Sequence, residues 1–237
     1  CTASGLDYCE YRYKINDGPF TEWTDMGEPV GGEIHYELKF KEESIHTLEY
    51  RCFDVAGNTT GILSEVDIVE DKPPITTKTI SEPKYINPET GAEWVDTATE
   101  ITLTVEDPEP HPSGVYKTYF KNTIYENEQD WDACYDPQES CEEDSCVASA
   151  QSYCEDNWEE DGYNSFVDCF DNYMVNECIY TVLEGSVVDQ GEESCHVLDY
   201  VSIDNLGNVG DANVNCFFVD KTPPEIRKYI GPDEPQY

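Results

Sequence analysis

Positive charge is what this sequence has least of. Thirteen lysines and arginines stand against 52 aspartates and glutamates, and no Lys or Arg occurs between Asn122 and Asp220. A field of that sign repels nucleic acid and anionic membranes and concentrates cations. Apolar runs of membrane length are absent, so no segment of the chain reads as a membrane span, and no leader peptide is visible. The chain also lacks a nucleophile elbow, a phosphate-binding glycine loop, an HExxH pair and a Cys-His arrangement, so it does not read as an enzyme. Carboxylate pairs of the glycosidase kind arise by chance when acids are this abundant. The cysteines form no haem motif and no paired CxxC, and the four histidines are scattered, which argues against zinc.

Eleven cysteines without such motifs imply disulfides and therefore an oxidising, extracellular setting. With 237 residues the chain can bury the cores of two domains. Seventeen tyrosines, eight phenylalanines and four tryptophans, with clear strand patterning, set it apart from disordered acidic chains.

The chain says one stretch twice. Glu42 to Asn58 (EESIHTLEYRCFDVAGN) and Glu192 to Asn208 (EESCHVLDYVSIDNLGN) share nine identities in seventeen ungapped positions, an internal repeat. Apolar or small residues alternate (Leu48, Tyr50, Cys52; Leu198, Tyr200, Ser202), which predicts a strand with one buried face. His46 and His196 occupy the same repeat position and read as structural. A Gly-Asn turn, a second short strand and a proline exit follow, DKPP at Asp71 to Pro74 and DKTPP at Asp220 to Pro224. Each unit is thus a hairpin with a stiff linker.

The spacing predicts strands over 6–14, 20–24, 33–40, 45–54 and 63–69 in the first repeat, and over 101–106, 114–121, 197–203 and 214–219 in the second. Aligning SGLDYCEYRY on SGVYKTYF places Cys9 opposite Thr118, just as Cys52 lies opposite Ser202. One copy has both cysteines and the other has neither, so a Cys9–Cys52 bridge between neighbouring strands is expected. The sequon Asn58-Thr59-Thr60 lies in a turn and makes Asn58 a candidate for glycosylation.

Tyr50, Asp54, Gly57, Asn58 and their partners Tyr200, Asp204, Gly207, Asn208, each set followed by a D-K-(T)-P-P exit, resemble the closing strands of immunoglobulin-like and fibronectin type III-like repeats of bacterial and archaeal cell-surface proteins. The resemblance implies a mainly β fold of tandem antiparallel sandwiches, the second with a disulfide-rich, partly helical insertion. It implies a cell-surface setting and assigns no partner. Tyr50, two residues before Cys52, is similar to the tyrosine corner of such sandwiches. The expected organisation is an N-terminally incomplete sandwich over 1–70, a proline-containing linker and opening strand over 71–86, a second sandwich over 87–220 with an insertion at about 126–178, and the start of a third repeat over 221–237. The chain is expected to be a segment of a longer array.

Six cysteines fall in the insertion, at 134, 141, 146, 154, 169 and 178. Helices are predicted over 146–158 and 165–178, with Ser165 and Asp168 capping the second. A pair of helices this small needs staples. Cys154–Cys169 is the preferred bridge; Cys146–Cys178 is the weaker one, because spacings of eight and nine residues do not keep both cysteines of a helix on one face. With Gly162 as its sharp-turn glycine, the loop between the helices is similar to EF-hand and dockerin-type calcium loops, Asn157, Glu159, Asp161 and Asp168 standing at ligand positions. Its plain alternative is an acidic solvated turn. Thr47, Glu49 and Arg51 become Val197, Asp199 and Val201 in the second copy, so the insertion or a neighbouring subunit is expected to cover that face, with Cys195 and Cys216 near enough to tie it down.

The functional expectation is a structural extracellular protein, part of a self-associating surface layer, filament or stalk stabilised by disulfides and by calcium or glycan. The alternative is an adhesin whose inserted hairpin binds a glycan or a protein.

Overall fold

The computed structural model describes residues 4–41, 43–127, 130–142, 144–188 and 191–228. Cys1 and residues 229–237 of the expected third repeat lie outside them. The chain divides into two compact units. One comprises Cys1–Ile75, Val105–Lys117 and Ser202–Asp211, the other Thr76–Thr104, Thr118–Val201 and Ala212–Tyr237.

In the first unit, β1 (Leu6–Ile15), β2 (Thr24–Asp25), β3 (Ser44–Asp54) and β4 (Leu63–Val69) form a four-stranded sheet in the order β2-β1-β3-β4. The repeat's alternation sets its register: Cys9 lies opposite Cys52 and Tyr11 opposite Tyr50. The strand expected over 33–40 does not form; that segment has no ladder partner beyond the single Val30–Glu33 bridge. Its aromatic rings are satisfied instead by the sheet face. Tyr36 meets Tyr11 with hydroxyls 3.0 Å apart, and Phe40 stacks on His46 at 4.0 Å. Only Thr24–Asp25 of the strand expected at 20–24 pairs, because Phe20 and Trp23 lie against the Arg12 guanidinium, each centroid 4.6 Å away. Among the described residues, 4–70 thus hold one four-stranded antiparallel sheet.

Most of a six-stranded sheet and of a three-stranded one lies in the second unit. β7 (Glu93–Val95) and β6 (Lys84–Ile86) extend the larger sheet past β9 (Val115–Tyr125), β12 (Ser194–Asp204) and β13 (Asn213–Val219), with β10 (Thr181–Val182) at its far edge; the order is β10-β9-β12-β13-β7-β6. The β13–β7 pair is parallel. β11 (Val187–Val188), β8 (Ile101–Glu106) and β5 (Ile75–Ile80) form the smaller sheet. Leu198, Tyr200, Phe217 and Val219 of the larger sheet pack on Ile101, Leu103 and Val188 of the smaller, which is the core. Every residue of β12 is buried. A strand covered on both faces cannot keep polar residues on alternate positions, which is why its outward set turns apolar relative to β3.

The insertion carries α1 (Asp132–Tyr135), α2 (Pro137–Ser140), α3 (Cys146–Asn157) and α4 (Phe166–Asn176). Ser165 caps α4, its hydroxyl accepting the Asp168 N–H at 3.1 Å. Both inter-helix bridges form, Cys146–Cys178 and Cys154–Cys169. The facing argument against the former fails because Cys178 lies beyond the last residue of α4 and is not held to a helix face. No helix among the described residues is long and apolar enough to cross a membrane.

Candidate functional site

The two copies of the hairpin present the same face to different surroundings. In the second copy, Cys195 stands opposite Phe218 and Val197 opposite Cys216. The insertion closes over this patch: Cys134 bridges Cys195, Cys141 bridges Cys216, and Trp131 and Tyr135 pack on Phe218 with ring centroids at 5.6 and 4.7 Å. Asp199 accepts the backbone N–H of Asp144 at 2.9 Å, and Asp144 pairs with Lys121 at 2.7 Å. Burial pushes the Asp144 carboxyl up, but Lys121 and the Cys146 N–H outweigh it and hold the group below its ordinary value. On α4, Phe170 meets Tyr119, whose hydroxyl donates to Asp171 at 2.9 Å.

In the first copy, Ile45 stands opposite Ile68 and Thr47 opposite Val66, the same register. Here nothing among the described residues closes over them: Val66 is 64% and Ile68 59% exposed, beside exposed Leu63. The polar half of the face is a charge ladder, Arg12–Glu49 at 2.6 Å and Arg51–Glu10 at 2.5 Å, with Trp23 under both guanidiniums. β4 is also a sheet edge, with one side of its backbone unpaired in the sheet. Another edge strand, β5, carries Lys78 on the same face as core-facing Ile80; burial lowers its pKa to about 8. A lysine on the core side blunts an edge; β4 has no lysine and carries Glu65 and Asp67 opposite Leu48 and His46.

The repeated Asp-x-x-Gly-Asn element is a turn clasp. Asp54 accepts the Asn58 backbone N–H at 2.7 Å and its side-chain amide at 2.8 Å. Asp204 does the same for Asn208 at 2.9 and 2.7 Å and adds the N–H groups of Leu206 and Gly207. Gly57 and Gly207 sit at φ +85° and +95°, which only glycine adopts at ease. Asn58 is exposed, and its amide is engaged by Asp54, as the Asn208 amide is by Asp204, where no sequon exists. The clasp alone therefore accounts for an asparagine at this position.

The insertion loop does not gather its four candidate ligands. The Asn157 amide turns back to the Tyr153 carbonyl at 2.7 Å, Asp161 accepts the Tyr153 hydroxyl, Asp168 accepts the Asn164 amide at 2.7 Å, and Glu159 is exposed. Donors on neighbouring helical turns satisfy these groups one by one. Among the described residues, the carboxylates that converge are Glu70, Asp107 and Asp204, with oxygens all within 4.8 Å of one another. All three belong to the first compact unit. Glu70 is the last residue before the proline linker, Asp107 follows β8, and Asp204 ends β12. Asp204 is fully buried and Glu70 is 7% exposed. Asp107 accepts the Gly114 N–H, and Glu70 accepts the Asn208 amide at 3.4 Å. Burial, then repulsion from Asp204 and Asp107, raises the Glu70 pKa against the opposing pull of nearby Ser113. Reading along the chain misses this group, since its members lie on three separate segments.

The two repeat histidines are core groups. His196 is held by the Glu192 carbonyl at 2.6 Å and Asn122 at 3.2 Å, and burial lowers its pKa. His46 meets the Ser44 hydroxyl at 3.0 Å. Tyr50 makes no tyrosine corner: its hydroxyl donates to Glu65 on the adjacent strand at 2.7 Å. Compared with known protein families and with curated proteins, the chain matches none.

Proposed function

We propose that this chain is a structural extracellular protein, a stretch of a tandem-repeat surface layer, filament or stalk built from immunoglobulin-like and fibronectin type III-like repeats that associates with further copies of itself. The observation that carries the reading is the open face and edge at Ile45, Val66 and Ile68. The equivalent residues of the second copy, Cys195, Cys216 and Phe218, are buried under a stapled cover. An unpaired β-edge next to an apolar strip is suited to adding a strand from another copy. Five disulfides support an oxidising exterior.

Light scattering and native mass spectrometry of the oxidised chain should show concentration-dependent assemblies that Val66→Lys with Ile68→Lys reduces to monomer. A wild type that stays monomeric at all concentrations refutes the reading. A second reading, glycan or protein binding by the insertion, is favoured by the partly exposed Tyr153–Tyr173 pair, ring centroids 5.2 Å apart, beside Asp161. Stacking rings next to a carboxylate acceptor suit a sugar face. Glycan-array binding abolished by Tyr153→Ala would support it, and an array without signal would refute it.

A further inference from the structure

We propose that Glu70, Asp107 and Asp204 bind a calcium ion, which fastens the end of β4 to the turn clasp of the second repeat. Oxygens within 4.8 Å of one another are what carboxylates at about 2.3–2.6 Å from a shared ion require. Convergence alone is weak in so acidic a chain. The stronger observation is that one oxygen of Glu70 (Oε2) and one of Asp107 (Oδ1) are cut off from solvent with no hydrogen-bond partner among the described residues, with the Ser113 hydroxyl beside Glu70. Buried carboxylate oxygens ordinarily accept two or more hydrogen bonds, and leaving them bare is costly unless a cation takes the place of the donors.

Among the described residues, no lysine or arginine is paired with the three carboxylates, and His111 lines the adjoining cavity. Lys72, two residues from Glu70, is turned to Glu43 at 3.1 Å and to the Glu109 carbonyl at 2.7 Å. Asp204 is held rigidly by four donors, and its Oδ2 accepts only one of them, so a lone pair is left for an ion. An all-oxygen set with no His or Cys selects a hard cation over zinc or copper. Three carboxylates, a hydroxyl and water from the adjoining 380 Å³ cavity, lined by Ile68, Pro110, His111 and Leu206, reach the six or more ligands that calcium takes. The binding couples Glu70 to the Asp-x-x-Gly-Asn turn, so the repeated clasp acquires a second role where an acid from the preceding strand meets it. In the first copy the corresponding Asp54 lies in an open depression of about 410 Å³ lined by Ser4, Gly5 and Asn58, with no such acid.

The test is a calorimetric calcium titration of the intact, oxidised, EDTA-stripped chain in about 0.15 M NaCl, where diffuse binding to the acidic surface is screened. The wild type should show one saturable site and a rise in Tm. Glu70→Gln and Asp107→Asn should each weaken binding by more than about tenfold, while in EDTA they unfold no earlier than the wild type, because each removes one of three repelling charges. Asp161→Asn with Asp168→Asn should leave the site intact. Should Asp107→Asn misfold for want of its Gly114 contact, Glu70→Gln decides alone. Absence of a saturable site, or one indifferent to Glu70→Gln, overturns the proposal. So does a Glu70→Gln chain that melts above the wild type in calcium as well as in EDTA, which would mean a shared proton in place of the ion. Magnesium binding as tight as calcium would overturn the choice of metal.

Discussion

One strand pair, written twice, ends with one face open and the other sealed. Ile45, Thr47, Val66 and Ile68 of the first copy correspond in register to Cys195, Val197, Cys216 and Phe218 of the second. The charge on that face was reworked along with the cover. Arg12 pairs directly with Glu49 across β1 and β3, whereas Lys121, its counterpart, pairs with Asp144 of the insertion, whose N–H is bound by Asp199, the counterpart of Glu49. In the second copy the cover thus stands between the cation and the acid that pair directly in the first. What the comparison teaches is that two cysteines and a few outward apolar residues suffice to turn a solvent face of a β-repeat into a second core, because the scaffold beneath keeps its register.

The largest effect should come from truncating the same register position in both copies. Phe218→Ala removes a ring packed on Trp94, Trp131 and Tyr135 and should cost about 3–4 kcal/mol, while Ile68→Ala, exposed, should cost under about 1 kcal/mol. Urea titrations of the two variants settle it; equal costs would mean that the face of the first copy is as covered as that of the second.

The clasps should differ next. Asp204→Ala strands the backbone donors of Leu206, Gly207 and Asn208 in a buried turn and should cost about 2–3 kcal/mol in calcium. Asp54→Ala frees the same kind of donors to water and should cost less than Asp204→Ala. Amide hydrogen exchange at the two turns reports each locally. Its carboxyl, held below the usual range by Asn58, contributes stability that is present above the ordinary carboxylate pKa and lost as pH falls through the depressed value.

The edges should separate in sign. Lys78→Leu should stabilise the chain by about 1–2 kcal/mol at pH 7, after discounting for the partial exposure of the lysine. Its folded pKa of about 8 lies below the ordinary 10.5, so the wild type is weakened at neutral pH and recovers as pH rises through that window. The gain from the substitution should therefore shrink by pH 10 to 11, roughly the range of an ordinary lysine. The same variant should also self-associate through β5; denaturation at two pH values with sizing alongside reads both.

Much of this was legible because local chemistry decides it. Cys9 and Cys52 are opposite each other and bridged, as a shared presence and absence across the copies suggests. Apolar residues on the outward side of β12 announced a cover, and Cys195 and Cys216 tie it down. Residues 33–40 alternate like a strand, but Tyr36 and Phe40 use that alternation to lay rings on a sheet, and a ladder needs a partner that no pattern names. β5, β6 and β7 are short and take their places from β8 and β13, which sequence-local reading does not see. The acidic loop at Asn157 to Asp168 has the spacing of a calcium loop, yet Tyr153 and Asn164 reach its oxygens first. Glu70, Asp107 and Asp204 have no spacing at all, and only the fold brings them together.

The smallest effect is the one that tests the bridging of the pair most directly. A double-mutant cycle on Arg12 and Glu49 should give a coupling of about 0.5–1 kcal/mol, since both side chains keep water contact, at 28% and 18% exposure. Lys121 and Asp144 are equally exposed, at 32% and 25%, and their direct coupling should be of the same size. The difference lies in the third member. Replacing Asp199 by Asn keeps an acceptor for the Asp144 N–H and should leave the Lys121–Asp144 coupling within about 0.3 kcal/mol, whereas Asp199→Ala strands that N–H and should lower it. If both substitutions act alike, the charge of Asp199 and not its hydrogen bond holds Asp144 in place.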